Sequence, residues 1–378
     1  MRESDRFIDK KIQLPFKVRD TVLAFGSQSK NTLCFIQGDL AYVGSPLPDL
    51  NSPKDYLSFK EEVSFWLRKK PGIIAFDLHP EYQSTKTALN LRAKSYELRA
   101  IQHHHAHIAS CMAENGLKNE RVIGVAFDGT GLGADNRVWG AEFLLCDYRT
   151  FQRKAHLREA LLAGGERAIR EPWRLAAFWL DQAYPGKFLD LNIPFVKSID
   201  KSKWRALKSI MPSEFSPAAS SMGRLFDAAA AMVLNRKQAA FEAQLAMELE
   251  KISYAAIEKE RAYPFRIEKN NGCYIIDPLP LFKEIAADLK AKRPQGDIGL
   301  RFHLTVTRMI RDTCLKLSRE TKVKRIVLSG GVFQNRLLLK ETRGLLAKAG
   351  FCVFTQQRLS PGDAGISLGQ AAIAGMRS

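Results

Sequence analysis

Four of the seven histidines crowd into Gln102-His103-His104-His105-Ala106-His107-Ile108-Ala109-Ser110. On a helix, His103 and His107 lie about 400° of rotation apart and project from one face, as a divalent cation requires of two imidazoles. Imidazole is the commonest metal ligand, which makes the pair a candidate metal site; His104 and His105 read better as surface or helix-start residues. Two imidazoles rarely hold a metal unaided, so carboxylates at strand ends are the natural partners to seek. Asp128 follows the apolar run from Val122 to Phe127, and Asp363 sits in Ser360-Pro-Gly-Asp-Ala-Gly365 beyond the last apolar run. Ligands gather in such loops at the carboxyl ends of strands. Each aspartate also has an ordinary reading, Asp128 as a turn residue opening Asp-Gly-Thr-Gly and Asp363 as a helix N-cap. A set of two histidines and two aspartates leaves room for iron, zinc or another first-row ion with a position open to a substrate oxygen.

Two glycine-containing turns could approach a nucleotide. Gly129-Thr130-Gly131-Leu132-Gly133 can bring backbone N–H groups close to a phosphate. Ser329-Gly330-Gly331-Val332-Phe333-Gln334-Asn335 joins an apolar run to a helical one, where a sugar or base would meet the backbone and Asn335 could hydrogen-bond it. Neither is a Walker A or a dinucleotide fingerprint, because the Gly-Lys-Ser/Thr and G-x-G-x-x-G elements are missing. A nucleophilic triad is not supported: Cys111 lies near the histidines in sequence but reads as a buried, inert thiol. His79, in Asp77-Leu-His-Pro-Glu81, closes a strand in a structural or substrate-facing role.

These residues need a scaffold, and its pattern repeats. Val22 to Val43 and Val122 to Leu145 each read as strand, turn, strand, turn, strand, which suggests a duplicated domain with a phosphate-sized turn in each half. Between them come a helix around Tyr56 to Lys70, a strand Gly72 to Asp77 and a helix from about Thr85 to Lys94. Residues 170–260 are mainly helical, and 261–300 form a less regular, Pro- and Gly-rich excursion. A helix near Phe302 to Glu320, the strand Arg325 to Ser329, a helix from Asn335 to Lys348 and the strand Phe351 to Phe354 complete an α/β pattern.

Composition narrows the classes. With 378 residues the chain holds roughly two or three domains, and 46% hydrophobic residues are ordinary for a globular protein. No apolar run approaches the ~20 residues of a membrane helix, and the start carries no signal-peptide core, so a soluble cytoplasmic protein is expected. The six cysteines lie far apart without a C-x-x-C pair, which disfavours a disulfide or zinc-ribbon scaffold. The charge of +18 admits a polyanionic partner, but the basic residues are scattered and nucleic acid is disfavoured.

Taken in order, the motifs resemble the carboxyl-terminal, threonylcarbamoyltransferase-like part of the HypF carbamoyltransferases of hydrogenase maturation, over nearly the whole chain. The stretches that carry the resemblance include Asp77-Leu-His-Pro-Glu-Tyr82, Gln102 to Glu114, Asp128-Gly-Thr-Gly131, Ile169-Arg-Glu-Pro-Trp173, Gly223-Arg-Leu-Phe-Asp227, Ser329-Gly-Gly-Val-Phe-Gln-Asn-Arg336 and Gly365-Ile-Ser-Leu-Gly-Gln370.

The resemblance implies the duplicated, two-lobed, actin-like α/β fold (ASKHA, RNase H-like). The lobes would comprise residues 18–120 and 121–378, the second with a mainly helical insertion at about 150–300, after a linker-like segment 1–17. It implies a metal, iron or zinc, on His103, His107, Asp128 and Asp363, with these four as the catalytic residues. Nucleotide contacts map to Asp128, Gly129, Thr130 and Gly131 for phosphate and carbamoyl, Asp227 for ribose, and Gly330, Gly331 and Asn335 for adenosine. The ligand would be carbamoyl-adenylate, ATP or AMP, with magnesium as a further candidate. The implied reaction passes the carbamoyl group to the carboxyl-terminal cysteine of a HypE-like acceptor, toward the cyanide ligands of [NiFe]-hydrogenase. The family's acylphosphatase-like, zinc-finger and YrdC-like adenylating parts precede the matching region. The expectation is therefore a fragment or stand-alone subunit fed by a separate YrdC-like domain or protein. An O-carbamoyltransferase on a small hydroxylated acceptor, a tRNA-modifying enzyme and a non-catalytic nucleotide-binding partner are the alternatives. Three departures stand out from the family pattern: Gly140-Ala141 for Gly-Gly, Ala243 for Gly, and Gly362-Asp363-Ala364 for Asn-Asp-Gly. Ala364 matters most if its turn needs positive φ.

Overall fold

The apolar runs of the two halves build two sheets with the same internal order. A computed structural model describes residues 6–91, 96–211, 215–256 and 261–377. In the first sheet Leu40–Val43, Cys34–Gln37 and Val22–Ala24 are antiparallel, and Ile73–Asp77 and Glu97–Ile101 continue parallel to Val22–Ala24. In the second, Phe151–Leu157, Val138–Cys146 and Val122–Leu132 are antiparallel, and Arg325–Ser329 and Cys352–Thr355 continue in parallel. Three antiparallel strands followed by two parallel ones, twice, make the duplicated actin-like α/β fold.

Several boundaries differ from the sequence expectation. The segment 1–17 is not simply a linker, because Lys10–Gln13 pairs antiparallel with Leu40–Val43 and edges the first sheet. The region 150–300 carries mainly helices, but also strands of the second sheet. Phe151–Leu157 is a core strand, and the expected irregular stretch contains the hairpin Arg266–Asn270/Cys273–Asp277, which widens the second sheet. Its turn is Asn271-Gly272, with φ of 47° and 80°, the left-handed pair that suits a two-residue hairpin. The helix expected at 85–94 is Gln83–Leu89. Residues 1–5 of the expected linker, 92–94 of that helix, and 212–214 and 257–260 of the helical stretch lie outside the described residues.

Two helices lie between the sheets. His103–Glu114 covers Val122–Leu132 and Arg325–Ser329 of the second sheet, whereas the carboxyl-terminal Ile366–Met376 covers Val22–Ala24, Cys34–Gln37 and Ile73–Asp77 of the first. A division at residue 120 thus gives each helix to the lobe opposite the sheet it covers. The helices pack against each other through small residues. A Cβ on Gly369 would collide with the Ala106 carbonyl, and one on Gly365 would reach within 3.4 Å of Ser110 Oγ. Ile108, Ala109, Met112, Leu368, Ala371 and Ala372 join Val22, Ala75, Val122 and Val327 in one buried cluster. This burial fixes the rotation of the histidine helix, because every residue from His103 to Ala113 is buried. No described helix is long and apolar enough to cross a membrane.

A separate cluster behind the first sheet holds an unexpected acid. Glu62, on the helix Pro53–Leu67, is buried among aromatic residues and accepts from Trp66 Nε1 at 3.3 Å. Burial pushes its pKa up to about 7, and the indole N–H offsets only part of that rise. The folded-state value lies above the unfolded one, so the neutral acid's contribution is complete below about pH 4.5 and is lost as pH rises toward 7. We expect Glu62→Gln to gain stability over the parent by on the order of 2–3 kcal/mol between pH 4 and 8. Urea unfolding at a series of pH values checks this, and parallel curves for the two proteins would refute it.

Candidate metal and nucleotide site

The long strand Val122–Leu132 does not turn where its glycines suggest. Ala141 pairs with Phe127 and Trp139 with Gly131, so Asp128, Gly129 and Thr130 face Gly140 alone in a bulge. The reversal comes later, where Gly133 N donates to Arg137 O at 2.8 Å. Gly140 permits the bulge, since a Cβ there would lie 2.8 Å from the Asp128 carbonyl oxygen. The bulge turns the Asp128 carboxylate toward the histidine helix.

Asp128 is the hub of the site. Its Oδ1 accepts from Gly129 N at 2.8 Å and Gly331 N at 3.2 Å. Its Oδ2 lies 3.3 Å from His103 Nε2 and 3.1 Å from His107 Nε2. Asp363 Oδ1 stands 3.8 Å from both imidazole nitrogens, and one ligand atom from each of the four residues fits within 4.8 Å of the others. The structure therefore brings together all four residues expected to bind metal. Asp128, however, belongs to a bulged strand and Asp363 to a short 3-10 turn, Asp363–Gly365, rather than capping the next helix.

The electrostatics of this cluster favour a cation. Burial opposes the charged form of His103, but Asp77, Asp128 and Asp363 outweigh it and hold the imidazole well above its ordinary value. Burial likewise opposes an ionised Asp128, yet the two histidines pull it well below the carboxylate range. Asp363 is pushed up to about 6 by burial and then by the nearby Asp128 charge. Two carboxylates and two imidazoles so close together are relieved by a divalent ion, and the nitrogen and oxygen donor set fits a first-row metal.

A residue that sequence reasoning did not single out completes the arrangement. Asp77 Oδ2 lies 2.8 Å from His103 Nδ1, and Asp77 Oδ1 accepts from His79 N at 2.9 Å. An Nδ1–H donated to Asp77 leaves Nε2 as the metal-facing lone pair. The signal was present, since Asp77 ends an apolar strand just as Asp128 follows one.

Loops on either side are stapled in place. The Glu114 carboxylate, at the end of the histidine helix, accepts from the backbone N–H groups of Gln357, Arg358 (2.7 Å) and Leu359 (3.0 Å), which anchors the run leading to Asp363. Thr32 Oγ1 lies 3.0 Å from the Ala364 carbonyl, and Gln370 exchanges hydrogen bonds with both backbone groups of Gly26. The turn of the first half is thus filled by Asn31, whose Nδ2 donates to Phe25 O at 2.7 Å, and by the carboxyl-terminal helix. Through Thr32 it fastens the backbone beside Asp363.

Other expected residues fall as follows. His104 and His105 are helix-start residues, in the first turn of His103–Glu114, but are buried and not at the surface, because the helix start lies between the sheets. His105 Nε2 lies 2.6 Å from the Asp147 carbonyl, and burial lowers its pKa to about 4. Cys111 is buried and its thiol is held up, as an inert cysteine should be. His79 stacks on Tyr82 at 4.3 Å. Asp227 is buried beside Arg224. Gly129 and Thr130 are partly exposed, while Gly131 packs on the rings of His103 and His104. Gly330 needs its freedom, with φ of 104° and the Phe127 backbone against it. The Gly331 N–H is already engaged by Asp128. Asn335 caps the helix Arg336–Lys348 through Leu338 N (2.8 Å), and its Nδ2 lies 2.9 Å from His303 Nε2. Ala364 is not among the left-handed residues, so its Cβ introduces no strain of that kind. Ala243 is the position that does, at φ 63°, a conformation costing roughly 1–2 kcal/mol without glycine.

Residues 17–114 match the family described as the HypF Kae1-like domain, and residues 124–370 match the carbamoyltransferase Kae1-like domain, second subdomain. The chain belongs to the HypF family. The carbamoyltransferase HypF2 of Cupriavidus necator is 35% identical, over 95% of this chain and 47% of its own length. A carbamoyltransferase HypF homolog from the same organism is 32% identical over 93% of this chain and 91% of its own length. A crystal structure of full-length HypF in a phosphate- and nucleotide-bound form superposes with a TM-score of 0.88 at 38% identity, covering 97% of this chain and 47% of that one. The chain thus spans about half the length of the first-named HypF relative and of the crystallised protein.

In this HypF-family chain, Asp77→Asn should weaken zinc or ferrous iron binding about 10–100-fold by loosening the tautomer and orientation of His103. Competition against a chromophoric chelator measures it. Unchanged affinity would remove Asp77 from the metal site.

Proposed function

We propose that the chain is a carbamoyltransferase that moves the carbamoyl group of carbamoyl-adenylate onto the carboxyl-terminal cysteine thiolate of a HypE-like acceptor protein. The observation that carries this reading is the His103, His107, Asp128 and Asp363 cluster, set beside the bulge at Gly129 and the turn at Gly331 in a HypF-family fold. The product thiocarbamate would serve assembly of the cyanide ligands of [NiFe]-hydrogenase. Carbamoyl-adenylate would come from a separate YrdC-like domain or protein.

A divalent cation on the four residues would supply Lewis-acid polarisation and offset charge on a phosphoryl or carbonyl oxygen. The chain's own residues orient and isolate. Asp77 fixes the tautomer of His103, and Asp128 ties the bulge, the Gly331 turn and the histidine helix into one rigid wall. The acceptor sulfur attacks the carbamoyl carbon, the carbon–oxygen bond to phosphate breaks, and AMP leaves with the electron pair. No enzyme nucleophile is needed, in keeping with Cys111, whose thiol is buried and held protonated.

The test supplies carbamoyl-adenylate and a purified HypE-like acceptor to the metal-loaded protein and follows the thiocarbamate by intact mass. The expected result is modification of the terminal cysteine, with a rate at least about 10²-fold lower for His103→Ala/His107→Ala. Metal-loaded, AMP-binding protein that leaves the cysteine unmodified would contradict the proposal and turn attention to small hydroxylated acceptors.

A further inference from the structure

Beside the metal cluster lies a buried cation that the proposed chemistry has not used. Arg224 sits in the first turn of the helix Met222–Leu234, and its side chain is 3% exposed. Its Nε forms an ion pair with Asp227 Oδ2 at 2.8 Å, whereas Nη1 is buried without a hydrogen-bond partner. A guanidinium carries five donors in a fixed fork, so a buried one left so poorly matched is set up for a planar or tetrahedral anion.

The surroundings indicate where that anion would lie. The helix start abuts the Asp128 bulge: a Cβ on Gly223 would lie 2.9 Å from Gly129 Cα, and Ser221 Oγ donates to the Gly129 carbonyl. A point one bond from Gly129 Cα, where a Cβ would be, is 3.9 Å from Arg224 Nη2 and 2.8 Å from Glu242 Oε1. Glu242 Oε1 is itself 3.5 Å from Arg224 Nη2, and the Glu242 side chain is 64% exposed. A solvent-accessible carboxylate therefore rests over a buried guanidinium, against a bare glycine, one residue from a candidate metal ligand. Glu242 is followed by Ala243, the left-handed residue that starts the helix Gln244–Ser253, so the backbone holds this placement despite its cost.

The geometry points to Arg224 as the phosphoryl-binding residue of the site and to Glu242 as an internal stand-in that must withdraw when a phosphorylated ligand enters. The helix start adds its own partial positive charge at the same place. Asp227 then positions Arg224 from behind. This inference rests on the nucleotide reading above, from which the probes below separate it.

Binding of inorganic phosphate, AMP and adenosine is measured by calorimetry on the metal-loaded protein and on Arg224→Gln and Glu242→Gln, with metal content and melting temperature as controls. Arg224→Gln should weaken AMP and phosphate about 10–100-fold and leave adenosine within about twofold. Glu242→Gln should tighten AMP and phosphate by about two- to fivefold, a readout that stands even if Arg224→Gln does not fold. Equal losses of AMP and adenosine in Arg224→Gln would make Arg224 a structural residue and overturn the assignment. Unchanged or weaker AMP and phosphate binding in Glu242→Gln would overturn the stand-in role. Arg224-dependent binding of phosphate without AMP or adenosine would keep the anion site and sink the nucleotide reading instead.

Discussion

Asp128 presents its two carboxylate oxygens in opposite directions, and the candidate site depends on that division. One oxygen gathers the N–H groups of Gly129 and Gly331, and so locks the bulge of one strand to the turn after its parallel neighbour. The other faces both imidazoles of the helix between the sheets. A buried carboxylate with so many partners is ionised and rigid, and these partners come from its own strand, the turn at Gly331 and the histidine helix. The bulge makes this geometry available. In a regular strand, residue 128 would pair directly with a residue opposite, and its side chain would take its direction from the pleat alone.

The histidine helix must arrive at a fixed rotation and depth for this to work. Close packing supplies that constraint, through Gly369 against Ala106 and Gly124 against Ile108, positions where a side chain would displace the helix. Asp363 depends on longer ties. Glu114 gathers the backbone upstream of it, and Thr32 and Gln370 bind the region downstream to the first sheet. Both sheets therefore contribute to the one candidate cation site, with Asp77 reaching His103 from the first sheet and Asp128 from the second. The same bulge abuts the start of the helix that carries Arg224, so the candidate cation position and the proposed anion position share one piece of backbone.

Much of this was legible in the sequence where chemistry and periodicity coincide. The four-residue spacing of His103 and His107 needs only a helix to bring the rings together, and the apolar runs with their helical connections indicated a duplicated α/β protein. Asp128 and Asp363 were found by their positions after apolar runs. What was not legible depends on partners distant in sequence. Asp77 carries the same strand-end signal as Asp128, but only the packing of two sheets around one helix makes it the partner of His103. His104 and His105 look polar and are buried for that same reason. Gly129 to Gly133 reads as a turn, whereas the pairing across Gly140 makes most of it strand. The Arg266–Asn270 strand was hidden by its polar, exposed edge character, although Asn271-Gly272 carried a hairpin signal.

We expect Asp128 to join His103, His107 and Asp363 around a single cation. Anomalous diffraction at the absorption edge of the bound metal, from crystals of the zinc- or iron-loaded protein, tests it most directly. One peak is expected at roughly 2.0–2.2 Å from both Nε2 atoms and from an oxygen of each aspartate, and it should be lost in Asp128→Ala. A peak elsewhere in the molecule, or one on the histidines that persists unchanged without Asp128, would contradict it.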